Sequence, residues 1–303
     1  MKKRQLGQSD LYVTELGLGC MSIGTEEKTA RKIIEAALEE GINYFDTADL
    51  YDFGENERIV GQALKPVREQ VILATKVGNR WKPDKTGWTW DPSKAYIKEE
   101  VKCSLKRLGT DYIDLYQLHG GTTEDNIDET IEAFEELKAG GYIRYYGISS
   151  IRPNVIREYI KKSNLVSVMM QYSMLDRRPE EEILSLLHEH DISAVTRGPL
   201  AKGLLSDKLL GKASEKGYLD YSYQDLVEIL PLLKEKAAHS RSFTEVSLQY
   251  NLANPAVASV VAGASSPEQI RSNVAAVKSN PLTQEEVSII KELTKPGIYR
   301  EHR

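Results

Sequence analysis

The chain alternates between two patterns. Short apolar runs rich in β-branched and aromatic residues recur, and each is followed by a segment whose apolar positions repeat every three to four residues. The runs predict eight strands, at 14–19, 42–46, 71–76, 112–119, 143–149, 166–171, 192–196 and 257–263. The periodic segments predict helices at 27–40, 56–64, 94–108, 127–139, 153–163, 179–189, 225–238 and 243–253, with two more at 267–277 and 283–293. Pro153, Pro179 and Pro267 stand at helix starts, where a missing N–H is harmless. Thr283, followed by "QEE", reads as an N-cap.

Continuous apolar strands separated by helices imply a parallel sheet covered on its outer side. Eight such units in 303 residues fit a (β/α)8 TIM barrel better than an open doubly wound sheet. The open sheet would want a G-x-G-x-x-G turn after an early strand, and "GLGCMSIG" lacks that spacing. "RQLG" and "LYVTEL", with "SD" between them, predict an N-terminal β-hairpin ahead of the barrel. Extra helices follow strands seven and eight, and no internal boundary is visible, so 1–303 is expected to form one domain. The loops at 77–93 and 197–224 are long, and in a barrel they lie on the active-site side.

Composition narrows the function. Net charge is -5 with basic and acidic residues interspersed, which offers no nucleic-acid or anionic-membrane footprint. No run of about eighteen apolar residues suggests a membrane span, and "MKKRQLGQSD" lacks the apolar stretch of a signal peptide. Cys20 and Cys103 are the only cysteines; two isolated thiols point to a reducing compartment, with cytoplasm the expectation. The one H-x-H, His188 and His190, falls at the end of the helix predicted over 179–189 and not at a strand end, and no metal is expected.

Barrel chemistry sits at the C-terminal ends of the strands. Strand two ends at Asp46, strand three at Lys76 and strand four at His119, with Tyr51 in the loop after strand two. Neighbouring strands lie about 4.8 Å apart, so these groups can converge. A buried carboxylate needs a partner, and Lys76 is the expected one for Asp46. An ammonium beside a phenol favours the phenolate, which suits Tyr51 to proton donation. His119 offers a hydrogen bond to a substrate oxygen.

Here the residues carry a family resemblance. "NYFDTADLYDFGENERIVGQAL", "VILATKVG", "YIDLYQLHGG", "IRYYGISS" and "MMQYSMLDRR" resemble the aldo-keto reductases, most of all the bacterial branch related to the potassium-channel β-subunits. The likeness runs from "RQLGQSDLYVTELGLGCM" to "GASSPEQIRSNVAA". It implies a (β/α)8 barrel and hydride transfer from nicotinamide C4 to an aldehyde or ketone. The tetrad falls on Asp46, Tyr51, Lys76 and His119, with Tyr51 the proton donor, His119 orienting the carbonyl, Lys76 tuning Tyr51 and Asp46 holding Lys76. The resemblance places the nicotinamide carboxamide at Ser149, Ser150 and Gln171, and its ribose near Gly19, Cys20, Met21 and Asp46. It assigns the pyrophosphate loop to 197–206, with Arg197, Gly198, Leu200, Lys202 and Gly203. The adenosine phosphate falls to 263–273, with Gly263, Ser265, Gln269, Arg271 and Asn273. Arg197 stands where the family usually has a stacking aromatic. Many relatives carry Lys or Arg for the 2′-phosphate where this chain has Ser265 and Ser266, with Arg271 further on; NADPH is still the expected cofactor, but this departure leaves NADH use open. A monomer acting on a small carbonyl compound is the family expectation.

Other readings compete. Asp46 and Lys76 could be a structural ion pair, and His119 a satisfied core histidine. Four polar groups at three adjacent strand ends favour a site, because buried pairs are often costly. Trp81, Trp88 and Trp90 either anchor the loop after strand three or wall the substrate pocket, and Tyr299 with Arg303 could reach that pocket from the tail. A cofactor-binding sensor of channel-β-subunit type is the alternative function. A glycosidase would need two opposed carboxylates at the strand ends, and only Asp46 is assigned there.

Overall fold

The computed structural model describes residues 1–207, 211, 213–238 and 241–303. Part of the expected 197–224 loop, at 208–210 and 212, lies outside the described residues. Among the described residues, twelve strands run in chain order: β1 Lys3–Gln5, β2 Tyr12–Thr14, β3 Leu16–Gly19, β4 Tyr44–Asp46, β5 Ile72–Val77, β6 Asn79–Trp81, β7 Trp88–Trp90, β8 Ile113–Leu118, β9 Ile143–Ser149, β10 Ser167–Gln171, β11 Ser193–Arg197 and β12 Val257–Gly263. Eight of them close a parallel barrel in the order β3-β4-β5-β8-β9-β10-β11-β12, with β12 paired back to β3. These eight are the predicted ones: β9 and β12 have the predicted bounds, and the other six shift at their ends by one or two residues.

The period of two along a strand sorts its side chains between the barrel lumen and the helix layer. Tyr44, Ala74, Leu115, Met169, Val195 and Val261 form one apolar cluster in the lumen. Leu6, Leu11 and Val13 of the β1–β2 hairpin join it and plug the lower end. Two residues further along each strand, the next inward layer is Gly19, Asp46, Lys76, Gln117, Ser149, Gln171, Arg197 and Gly263. One strand period thus separates a greasy plug from a polar, glycine-rich floor. His119 continues the inward face of β8 one layer higher.

The helices are α1 Glu27–Glu39, α2 Glu55–Leu64, α3 Lys94–Leu108, α4 Ile127–Ala139, α5 Pro153–Lys162, α6 Ile183–Glu189, α7 Tyr223–Leu233, α8 Phe243–Leu252, α9 Pro267–Lys278 and α10 Gln284–Leu293. In α1, Ala30, Ile33, Ile34 and Ala37 are buried at helical spacing against the outer face of the strands. Thr283 and Glu286 form the full capping box that starts α10. The segment predicted as a helix over 179–189 is divided: Pro179 opens a 3-10 turn at Arg178–Glu181, and α6 begins at Ile183. The loop predicted over 77–93 contains a two-stranded hairpin, β6–β7, with Trp81 opposite Trp88 and Asn79 opposite Trp90. Among the described residues, no helix is long and apolar enough to cross a membrane.

Candidate active site

Lys76 is fully buried at the end of β5. Its ammonium has three N–H donors, and all three find acceptors. It donates to Asp46 Oδ1 at 2.5 Å, to the Thr47 carbonyl at 2.7 Å and to the Tyr51 hydroxyl at 3.3 Å. Gln117 Nε2 donates to the second Asp46 oxygen at 3.2 Å, so the carboxylate is held from both sides. Tyr51 is presented by an unusual turn. Asp52, Phe53 and Gly54 all have left-handed φ, at 49°, 53° and 85°. For the two non-glycine residues this costs on the order of 1–2 kcal/mol each. A Cβ at Gly54 would lie 2.7 Å from Arg107 Cδ, so any side chain there would have to displace Arg107. The ring of Tyr51 meets that of His119 edge to face at 6.0 Å.

Beside Asp46 and Tyr51 opens a groove of about 700 Å³. From the lumen layer it takes Gly19, Asp46, Gln171, Arg197 and Gly263. Met21 lies on its rim, and Gly198, Leu200, Lys202 and Gly203 form one wall. Ser265, Gln269 and Asn273 meet it at the start of α9. The floor is tight: a Cβ on Gly19 would lie 3.1 Å from Val261, and one on Gly263 would lie 2.5 Å from the Ser22 hydroxyl.

Residues 15–295 match the model of the aldo/keto reductase family. The chain belongs to that family. Among its relatives is the "uncharacterized oxidoreductase YqkF" of Bacillus subtilis, 62% identical over the whole of both chains. The "NADH-specific methylglyoxal reductase" of Escherichia coli is 32% identical over 97% of this chain and 99% of its own. Among solved structures, the holo form of aldo-keto reductase AKR11C1 from Bacillus halodurans superposes with a TM-score of 0.95 at 62% identity, covering 100% of this chain and 99% of the other. The barrel of the sequence-based expectation is therefore this family's barrel.

Several candidates of this aldo/keto reductase stand outside the groove. Cys20 is buried in the outer core, its thiol pushed far up by burial, and its carbonyl accepts from Asn56 Nδ2 at 2.9 Å. Ser149 and Ser150 are buried at the end of β9 and do not line the groove. Arg271 is exposed, with Glu268 4.0 Å away. Trp90 acts as an anchor: it donates to Asp125 at 2.9 Å and covers Gly78 and Gly120. Trp81 packs on Phe53 at 5.9 Å, and Trp88 is exposed. Tyr299 lines a separate cavity of about 480 Å³ with Arg178 over its ring, and Arg303 donates to Glu181.

Electrostatics set the charge states. Burial works against the Lys76 ammonium, but the charge of Asp46 overrides it and holds Lys76 above its ordinary value. His119 is pushed down to about 3 by burial, reinforced by the positive charges of Lys76 and Arg197. The imidazole is thus neutral at physiological pH. Its Nδ1 is buried without a hydrogen-bond partner among the described residues.

Sequence reading missed the supporting residues. Thr47 donates to Asn56 at 2.7 Å, and Asn56 ties the loop after β4 to the end of β3. Gln117 was legible only through register: it pairs with Lys76 across β5 and β8. Behind the tetrad, Asp49, Glu57 and Glu100 are buried around the single guanidinium of Arg107. Burial, followed by the charges of Glu57 and Glu100, drives the Asp49 carboxyl well above its usual range.

Proposed function

We propose that the chain reduces aldehyde or ketone carbonyls to alcohols, using NADPH and with Tyr51 as proton donor. The observation that carries this reading is the buried ammonium of Lys76, shared between Asp46 and the Tyr51 hydroxyl beside the groove. The groove fits a nicotinamide dinucleotide. Gln171 offers an amide partner at the tetrad end, Lys202 a cation along the wall, and the start of α9 a set of backbone N–H groups at the far end. Glycines at 19 and 263 leave the floor bare for close approach. When bound, the dinucleotide supplies hydride from its nicotinamide ring.

The chain's own groups do the rest. Tyr51 gives its proton to the oxygen of the reduced carbonyl. The Lys76 ammonium, 3.3 Å from that hydroxyl, stabilises the phenolate left behind. Asp46 keeps Lys76 charged and fixed. His119, being neutral and turned with Nδ1 away from solvent, presents its other ring nitrogen to the substrate oxygen. NADPH is the choice the family likeness supports; at the start of α9 the groove offers Ser265, whose hydroxyl donates to Gln269 at 3.2 Å, while Arg271 stands outside it, so NADH is the competing cofactor.

Tyr51→Phe tests the reading. Reduction of 4-nitrobenzaldehyde, followed at the nicotinamide absorbance band, is expected to fall by about a hundredfold or more. Calorimetric affinity for NADP+ stays near wild type. Wild-type turnover in that variant overturns the proton-donor assignment. Dinucleotide binding by the wild type with no turnover of any aldehyde would instead favour a sensor role.

A further inference from the structure

The groove residue Gln171 is not free to choose which end of its amide it shows a ligand. Its Nε2 donates to Asp176 Oδ2 at 2.8 Å and to the Tyr218 hydroxyl at 3.3 Å. Its Oε1 accepts from Arg197 Nη1 at 3.0 Å. A carboxylate only accepts and a guanidinium only donates, so these partners fix the amide's orientation by chemistry alone. Both N–H donors are spent. One lone pair on Oε1 remains beyond the one that Arg197 uses.

Asp176 is itself held. It is 2% exposed, and Arg178 grips it with both arms: Nε to Oδ1 at 2.7 Å and Nη2 to Oδ2 at 2.8 Å. Arg178 is in turn packed by the tail. Its guanidinium lies 5.0 Å from the Tyr299 ring centroid, and Gly297 passes so close that a Cβ there would sit 3.1 Å from the Arg178 backbone nitrogen and 3.2 Å from its Cγ. Tyr299 is 5% exposed, and its N–H donates to Glu181 at 3.3 Å.

We propose that Asp176 is a positioning residue for the cofactor: it turns the Gln171 amide so that only an acceptor faces the groove, and Arg178, braced by Gly297 and Tyr299, keeps it there. The proposal rests on the nicotinamide reading above. It implies that the groove reads the NH2 group of the nicotinamide carboxamide rather than its carbonyl. The tail thereby bears on cofactor recognition without lining the groove.

The test is calorimetric and needs no turnover. Three ligands are titrated: NADP+, its 3-acetylpyridine analogue, which has a methyl in place of that NH2, and 2′-phospho-ADP-ribose, which lacks the pyridine ring. Wild type is expected to prefer NADP+ over the analogue by about tenfold, the worth of one hydrogen bond. In Asp176→Ala the preference is expected to shrink to about threefold or less as Gln171 is released, with affinity for 2′-phospho-ADP-ribose unchanged. Should that variant fail to fold, Tyr299→Leu shifts the preference in the same direction by a smaller factor. A tenfold preference that survives Asp176→Ala, or a wild type that binds both dinucleotides equally, overturns the proposal. If wild type binds 2′-phospho-ADP-ribose but gains nothing from the pyridine ring, or binds neither any of the three nor NAD+, the nicotinamide reading itself fails.

Discussion

The three N–H donors of Lys76 are the tightest constraint at the scale of single residues. Replacing it by methionine strands Asp46 as a buried charge. Lys76→Met is expected to lose about 3–5 kcal/mol in urea unfolding. It should also flatten the alkaline side of the pH profile of reduction, and an unchanged profile counts against the role given to the ammonium. His119 gives a prediction of the opposite sign. Its folded value near 3 lies below the ordinary 6.5, so as pH falls the unfolded chain takes up the proton first. Its contribution to stability is intact above about pH 6.5 and is lost on the way down to pH 3, with a slope of up to about 1.4 kcal/mol per pH unit. His119→Asn should therefore show a shallower loss of stability between pH 6 and pH 4, measured by urea midpoints. An equal slope would mean that the imidazole is already protonated in the folded chain. Asp46, Lys76 and His119 were legible in the sequence because strand ends are legible. Asn56, Gln117 and Asp176 were not, because each acts through a partner distant in sequence or a turn that no local pattern marks.

Among the elements, the packing of α2, α3 and β5 depends on Arg107. It donates to Glu57 and Glu100, while Thr75 donates to the other oxygen of Glu57 at 2.6 Å. Arg107→Met removes the one cation from three buried carboxyls. A loss of about 3–5 kcal/mol is expected by urea denaturation. Adding Glu57→Gln to that variant should recover part of the loss, since one orphaned charge goes with it. Failure to recover would mean that Arg107 contributes by packing alone. The long helices and all eight barrel strands could be read from periodicity, which needs length to be visible. The β6–β7 hairpin has three-residue strands, too short to show a period of two, and its cross-strand tryptophans read equally well as a loop. The split at 178–183 escaped because Pro179 is as good a start for a 3-10 turn as for a helix.

For the molecule as a whole, the barrel separates stability from chemistry. The lower end is closed by Leu6, Leu11 and Val13, and the groups proposed for catalysis lie one strand period above the apolar layer. Leu11→Ala should cost about 2–5 kcal/mol on unfolding. Affinity for NADP+ and the rate of aldehyde reduction should stay within twofold of wild type. A large change in either would show that the two ends of the barrel are coupled.

All three tryptophans of the chain stand on one face of the β6–β7 hairpin. Intrinsic emission therefore watches a single short ribbon and is blind to most of the barrel. A quench on adding ligand would be a signal relayed through the packed pair Phe53 and Trp81, next to Tyr51. A melting curve followed by that light would time the release of the ribbon, whereas far-ultraviolet dichroism would time the collapse of the helices around it. Any gap between the two transitions measures how independently the ribbon can peel from the barrel's mouth.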